Sequence, residues 1–184
     1  CEALVRAGLD EKSFAMPSKE LRQRLLMLLN HDDRFVRYAA RLALMRVRQN
    51  EWPAAVLADT LEKRPYGALE GLIALIHTER TKEQSDAIFD KLAEYSHVEM
   101  DTDALLRYLR TVQLAFIRDV AKDKGRKEFM DEVGPILLEK FPHTDRLVNR
   151  ELQTVLAYMQ SPGCIEKILA YLTPDKTQEE QIHT

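Results

Sequence analysis

Apolar residues recur at steps of three and four positions along almost the whole chain. This spacing places them on one side of an α-helix, whereas an exposed strand would alternate apolar and polar residues. No stretch of four or more residues shows that alternation. The pattern therefore predicts an all-helical chain, with breaks at residues 17–18, 30–33, 52–53, 64–67, 79–81, 100–102, 124–125, 141–144, 161–163 and 173–174.

A near-repeat recurs 112 positions along the chain, as DRFVR at residues 33–37 and DRLVN at residues 145–149. Each copy opens an amphipathic helix, and the same offset aligns the apolar positions of the helix before it. The aligned positions are Leu21, Leu25, Leu26 and Leu29 in the first copy and Val133, Leu137, Leu138 and Phe141 in the second. Reuse of a helix-turn-helix unit is typical of a helical solenoid, in which each unit buries its apolar face against its neighbours.

Pairing the predicted helices gives units whose second helices begin near Asp33, Tyr66, Thr102, Asp145 and Thr177. The intervals of 33, 36, 43 and 32 residues fit two-helix repeats, which run from roughly 30 to 50 residues. We therefore expect residues 1–184 to form a single domain, a right-handed α-solenoid of about five antiparallel helix pairs. We also expect this domain to be a segment of a longer chain.

Residues 28–44 carry a leucine-rich helix end, an acidic turn, the pair Val36 and Arg37, and a helix rich in small residues. This segment resembles the HEAT-repeat pattern, as does 141–158, where Asn149 replaces the arginine. The C-terminal half, at 106–118, 149–152 and 177–183, is similar to repeat segments of large uncharacterised exported proteins of environmental bacteria. In those proteins the repeats accompany c-type haem or propeller-type dehydrogenase modules. The resemblance implies a HEAT-like fold and an exported or periplasmic location, although the haem attachment pattern C-x-x-C-H is absent from this sequence.

Composition fits a globular domain with a sizeable core, since 45% of the 184 residues are hydrophobic and 31% are charged. No apolar run approaches the roughly 20 residues that a membrane-spanning helix needs. Two cysteines, Cys1 and Cys164, are too few for a disulfide framework, and their separation does not match metal-ligand spacing. We expect no metal and no cofactor.

Charge is distributed unevenly along the chain, whose formal net charge is -3. Residues 19–48 carry eight basic and three acidic side chains, whereas residues 49–184 carry 17 basic and 24 acidic ones. Four of the basic residues, Arg34, Arg37, Arg41 and Arg48, fall within about 60° of one another on a helix. We call these four the arginine ridge. They lie roughly opposite the predicted core stripe of Val36, Ala40, Ala43 and Val47.

The arginine ridge is the most promising binding feature, because guanidinium groups suit carboxylates and phosphates. The alternative is an ordinary solvated helix face. Candidate catalytic chemistry is sparse: the five histidines are scattered, and neither a P-loop nor a nucleophile elbow is present. His31 and His143 lie in the repeated turns, where we expect them to shape or cap the turn rather than bind metal.

Aromatic residues offer two interpretations. Trp52, ahead of a proline at a helix start, is predicted to be a packing anchor between repeats. Four others recur at spacings compatible with repeat cores: Tyr108, Phe116, Tyr158 and Tyr171. Tyr38 and Tyr108 could instead line a groove.

These observations favour a non-enzymatic scaffold that mediates association with a protein partner or with flanking modules of the same polypeptide. Nucleic-acid binding through the basic segment is the alternative, and the acidic overall balance disfavours it. A DNA-base glycosylase of the HEAT-like class would need an aromatic residue and a carboxylate in a basic groove. Trp52 and Asp59 are the nearby candidates.

Overall fold

The computed structural model describes residues 19–47, 52–118, 120 and 124–173. Within these ranges the regular secondary structure is entirely helical, which confirms the all-α prediction. The helices are α1 (Lys19–Leu28), α2 (Arg34–Leu44), α3 (Pro53–Leu57), α4 (Pro65–His77), α5 (Lys82–Ser96), α6 (Thr102–Ile117), α7 (Lys124–Glu139), α8 (Arg146–Met159) and α9 (Cys164–Tyr171). The predicted break at 17–18, the helix start at Thr177, and Cys1 lie outside the described residues.

The predicted starts of the second helices agree with the structure wherever it describes them. Helices α2, α4, α6 and α8 begin within one residue of the predicted positions. Aspartates cap three of these helices, because Asp33, Asp101 and Asp145 each accept a hydrogen bond from a backbone N–H of the first turn. Asp101 caps α6, with its carboxylate 2.8 Å from the nitrogen of Ala104.

Helix α5 begins with a reciprocal pair of hydrogen bonds. The backbone N–H of Gln84 donates to the hydroxyl of Thr81 over 3.2 Å, and the backbone N–H of Thr81 donates to the side chain of Gln84 over 3.0 Å. This capping box satisfies two N–H groups that the first helical turn would otherwise leave without acceptors.

The chain divides into two compact units between Ile88 and Phe89, within α5. In the first unit, α2 packs against α1 and α4, and α4 also contacts α1 and α3. All ten residues from 67 to 76 are buried, so α4 supplies the centre of this core. Trp52 is also fully buried, as expected of a packing anchor, and its indole N–H donates to the carbonyl of Val47.

Close approach of α3 to α4 depends on Gly71. A Cβ atom at this position would lie 2.9 Å from one methyl carbon of Val56 and 3.0 Å from the other. Such distances are below van der Waals contact, and the β-branched side chain of Val56 has little rotational freedom with which to move aside. The absence of a side chain at Gly71 therefore sets the spacing of these two helices.

In the second unit, α8 packs against α6, α7 and α9. Three phenylalanines, Phe89, Phe116 and Phe129, form a ring cluster with centroids 4.9 to 5.8 Å apart. Tyr108 is fully buried, and its hydroxyl donates to the carbonyl of Leu92 over 2.9 Å. The core prediction is confirmed for Tyr108 and Phe116. It is wrong for Tyr158, which is 50% exposed.

Candidate functional site

The turn before α2 is built around His31. Its ring nitrogen Nδ1 accepts a hydrogen bond from the backbone N–H of Asp33 over 3.0 Å, and the carboxylate of Asp33 in turn accepts from the N–H of Phe35 over 2.7 Å. An acceptor two residues before its donor N–H reproduces the geometry of an Asx turn, with an imidazole in place of the usual carboxylate or amide.

The turn before α8 repeats this arrangement. The Nδ1 atom of His143 accepts from the N–H of Asp145 over 2.9 Å, and Asp145 accepts from the N–H of Leu147 over 2.7 Å. The prediction that both histidines shape their turns is therefore confirmed. In each, one ring nitrogen is already occupied as a backbone acceptor.

Arg37 lies in the interior of the first unit, and the expectation that it points away from the core is wrong. Its side chain is 4% exposed, and its guanidinium donates to the carbonyls of His31 and Asp32 over 2.7 and 2.8 Å. It also stacks 4.2 Å from the ring centroid of Tyr66. The reason is helical phase: Leu44 is seven residues on, about 20° away, and its burial carries Arg37 into the core.

Asn149 occupies the position equivalent to Arg37 in the second turn. Its side-chain amide donates to the carbonyl of His143 over 2.7 Å and accepts from the N–H of the same residue over 2.6 Å. A side chain therefore supports the turn in both copies, although the residue at this position differs.

The other members of the arginine ridge have separate surroundings. Arg41 forms a 2.7 Å ion pair with Glu70, which is 3% exposed, and stacks over Tyr38 at 5.2 Å. Arg34 is exposed and lies 4.8 Å from the ring centroid of Phe35. Arg48 lies outside the described residues. Arg34, Arg37 and Arg41 therefore do not form one solvent-facing row.

An exposed apolar stripe, which the sequence reasoning missed, lies beside the ridge on α2. Phe35 is 68% exposed and Tyr38 is 51% exposed, and Leu42 and Met45 continue the stripe half-buried. We call these four residues the outer α2 face. Their spacing of three, four and three residues is itself helical and was visible in the sequence. The small residues on the opposite side of α2 form the more obvious stripe in the sequence.

Trp52 and Asp59 do not offer the exposed aromatic ring and unpaired carboxylate that a DNA-base glycosylase would need. The indole of Trp52 is fully buried, so a base cannot stack on it. Asp59 forms a 3.0 Å ion pair with Arg64 and accepts from the N–H of Thr60. Both side chains therefore have structural partners.

The described residues also bear on metal sites and on membrane-spanning helices. No group of three or more histidine, cysteine, aspartate or glutamate side chains there is arranged to hold a metal ion. None of the described helices combines the length and apolar character needed to cross a membrane. Comparison with known proteins gave no match to any family model, to any curated protein or to any solved structure.

Proposed function

We propose that this protein is a non-enzymatic scaffold that associates with a protein partner or with flanking modules of its own polypeptide. The observation that carries the proposal is the outer α2 face, where two aromatic side chains are exposed and each is in contact with an arginine. Tyrosine and arginine are enriched among the residues that contribute most to binding at protein interfaces.

The arginines make this face more suitable for binding than scattered apolar residues would be. Arg41 is held by Glu70 and by the ring of Tyr38, so its conformation is restricted before any partner arrives. Less side-chain entropy is lost on association when interface residues are ordered in advance. An aromatic centre beside positive charge suits a partner surface that is apolar with an acidic rim.

The proposed architecture is a right-handed HEAT-like solenoid of about five antiparallel helix pairs. Support comes from the helix starts, which follow the predicted repeat, and from the matched turns at His31 and His143. A solenoid presents extended surfaces made of successive helices, which is the usual way such proteins bind partners. An exported or periplasmic location, with haem or dehydrogenase modules as neighbours, belongs to the same proposal.

Nucleic-acid binding is the competing function, because exposed aromatic rings can stack on bases and Arg34 can contact phosphate. Two arginines of the ridge already have partners within the fold: Arg37 donates to backbone carbonyls, and Arg41 forms an ion pair with Glu70. These contacts compete with binding to phosphate. The net charge of -3 further opposes binding to a polyanion.

Site-specific photocrosslinking tests the proposal directly. A photoreactive phenylalanine analogue placed at Tyr38 should give a covalent adduct with a protein in cells of the source organism, whereas the same analogue at exposed Ala55 on α3 should not. The double variant Phe35→Ser with Tyr38→Ser should then weaken binding of the purified partner by about tenfold or more. Arg37 and Arg41 are left unchanged, because both have structural roles.

The outcome distinguishes the two functions. An adduct with nucleic acid, or duplex DNA binding that survives physiological salt, would support the alternative. Equal adducts from Tyr38 and Ala55, or unchanged affinity of the double variant, would reject the outer α2 face as the binding surface.

A further inference from the structure

One side of α9, in the second unit, is an exposed apolar surface. Ile165 is 67% exposed, and Leu169, one turn later, is 61% exposed. Ile168 lies beside them and is half-buried. We call these three residues the α9 face. The packed side of the helix is that of Cys164, which is buried, and α9 contacts α8.

A groove of about 480 Å³ lies beside the α9 face, at the end of α8 and the start of α9. Ala157 lines it from α8, and Ile165 and Ile168 line it from α9. Among the residues that line the groove, Glu166 is the only one with a charged side chain, and it is exposed. Apolar cavities of roughly 150 Å³ hold benzene, so this groove has room for more than one apolar side chain.

The internal repeat shows how such a face is covered in the first unit. The three residues of the α9 face lie 112 positions after Pro53, Val56 and Leu57 of α3. Pro53 is buried and Val56 is 2% exposed, and α4 packs against α3. The two helices meet where Gly71 leaves room for the methyl groups of Val56. The same positions are therefore apolar in both copies, and in the first copy a helix lies over them.

We propose that the α9 face binds an amphipathic α-helix of a protein partner, packed as α4 packs against α3. The partner helix places a small residue against Ile168, as Gly71 lies against Val56, and its apolar stripe covers the rest of the face. A lysine or arginine at the edge of that stripe pairs with Glu166, which is about 60° from Leu169 around α9. The α9 face belongs to the second unit and the outer α2 face to the first, so the two proposals stand or fall independently.

Selection on the full chain from a displayed library of single helices provides the test, with a library of unstructured peptides selected in parallel. Enriched helices should share a small residue within an apolar stripe and a Lys or Arg beside it. The most enriched helix, made as a synthetic peptide, should bind about tenfold or more weakly to Ile165→Asp and several-fold more weakly to Glu166→Gln. Ile117→Asp is the matched control, because Ile117 is an exposed isoleucine at the end of α6, and it should bind like the parent.

A size exchange tests the contact at Ile168. Replacement of the small residue of the peptide by leucine should weaken binding to the parent chain, because the larger side chain meets Ile168. The variant Ile168→Ala removes that bulk and should recover most of the affinity for the leucine peptide. An equal loss of affinity in both chains would show that the helix does not pack against α9 as α4 packs against α3.

Three further results would overturn the proposal. The first is enrichment from the unstructured library but not from the helical one, or from neither. The second is a helical consensus with Asp or Glu, in place of Lys or Arg, beside the stripe. The third is a peptide that Ile165→Asp weakens no more than Ile117→Asp does. Because the three side chains replaced by Asp or Gln are exposed, these variants are expected to fold, and circular dichroism before each titration verifies this for them and for Ile168→Ala.

Discussion

Arg37 and Asn149 support equivalent turns with different side chains: the guanidinium of Arg37 donates to the carbonyl of His31, and the amide of Asn149 donates to the carbonyl of His143. The two residues are 112 positions apart, the same offset as the two histidines. Both copies of the repeat therefore place a side-chain N–H donor against the carbonyl of the turn histidine.

Replacement of Arg37 by alanine should destabilise the fold. Two carbonyl groups, of His31 and Asp32, would lose a charged donor, and such hydrogen bonds contribute about 1.5–3 kcal/mol. Arg37→Asn should cost less than Arg37→Ala, because asparagine can donate to the turn as Asn149 does. Urea unfolding measures both, with exposed Arg34→Ala as the control, for which a change within about 0.5 kcal/mol is expected. Equal losses for Arg34→Ala and Arg37→Ala would contradict the buried role of Arg37.

The turn at His143 should tolerate asparagine but not alanine. In His143→Ala the N–H of Asp145 loses its acceptor, which should lower the free energy of unfolding by about 1 kcal/mol. An asparagine oxygen can accept from the N–H two residues on, so His143→Asn should restore most of that loss. Thermal unfolding of the two variants measures the difference. If they proved equally stable, the Nδ1 hydrogen bond would not be contributing to stability.

Gly71→Ala should destabilise the first unit even though alanine is the better helix former. The added methyl meets both methyl groups of Val56, and overpacking of this kind costs about 1–3 kcal/mol. The gain in helix propensity offsets about 1 kcal/mol of this. In a Val56→Ala background the same substitution should become neutral or stabilising, because the clash is gone. A double-mutant cycle by chemical denaturation gives the coupling energy, and additive effects would show that the helices do not meet at this point.

Tyr108 should make stability fall in alkaline solution. Burial raises the pKa of Tyr108 well above its usual range, with a smaller contribution from the negative charge of Glu132. In the unfolded chain a tyrosine ionises near pH 10. The stabilisation that depends on neutral Tyr108 is therefore fully present below about pH 10. It is lost as pH rises above about 10, because the tyrosine ionises in the unfolded chain first and this lowers the free energy of the unfolded state.

The variant Tyr108→Phe isolates this effect. It should be about 0.5–1.5 kcal/mol less stable at neutral pH, through loss of the hydrogen bond to Leu92. The gap should narrow as pH rises from about 9 to about 11. Unfolding free energies across that range provide the measurement, and parallel pH profiles would show that Tyr108 ionises equally easily in both states.

Local features of the fold were predictable from the sequence. Proline, aspartate and threonine favour the start of a helix within a few residues of their own position. They therefore predict the helix starts that the structure shows at Arg34, Pro65, Thr102 and Arg146. The capping box at Thr81 and the turn role of both histidines were predictable for the same reason. Their hydrogen-bond partners are at most three residues away.

Features that depend on tertiary packing were not predictable. The position of Arg37 depends on the burial of Leu44 against neighbouring helices, and the predicted core stripe omitted Leu44. The hydrogen bond from Gln113 on α6 to Glu151 on α8 needs these two helices side by side and spans 38 positions. Helical periodicity identifies an apolar side but not which parts of it a neighbour covers, so Phe35 and Tyr158 were not recognised as exposed.

Helix α4 has a consequence for synthesis of the chain. Its ten consecutive buried residues, 67–76, include a single charged side chain, that of Glu70. Before α1, α2 and α3 pack against it, this apolar segment is prone to aggregate with other copies of the chain. The charge of Glu70 lowers that tendency. All three covering helices lie before α4 in sequence. A chain made from its N-terminus therefore emerges with the cover already present, whereas a fragment that began at Ala58 would expose α4 and aggregate.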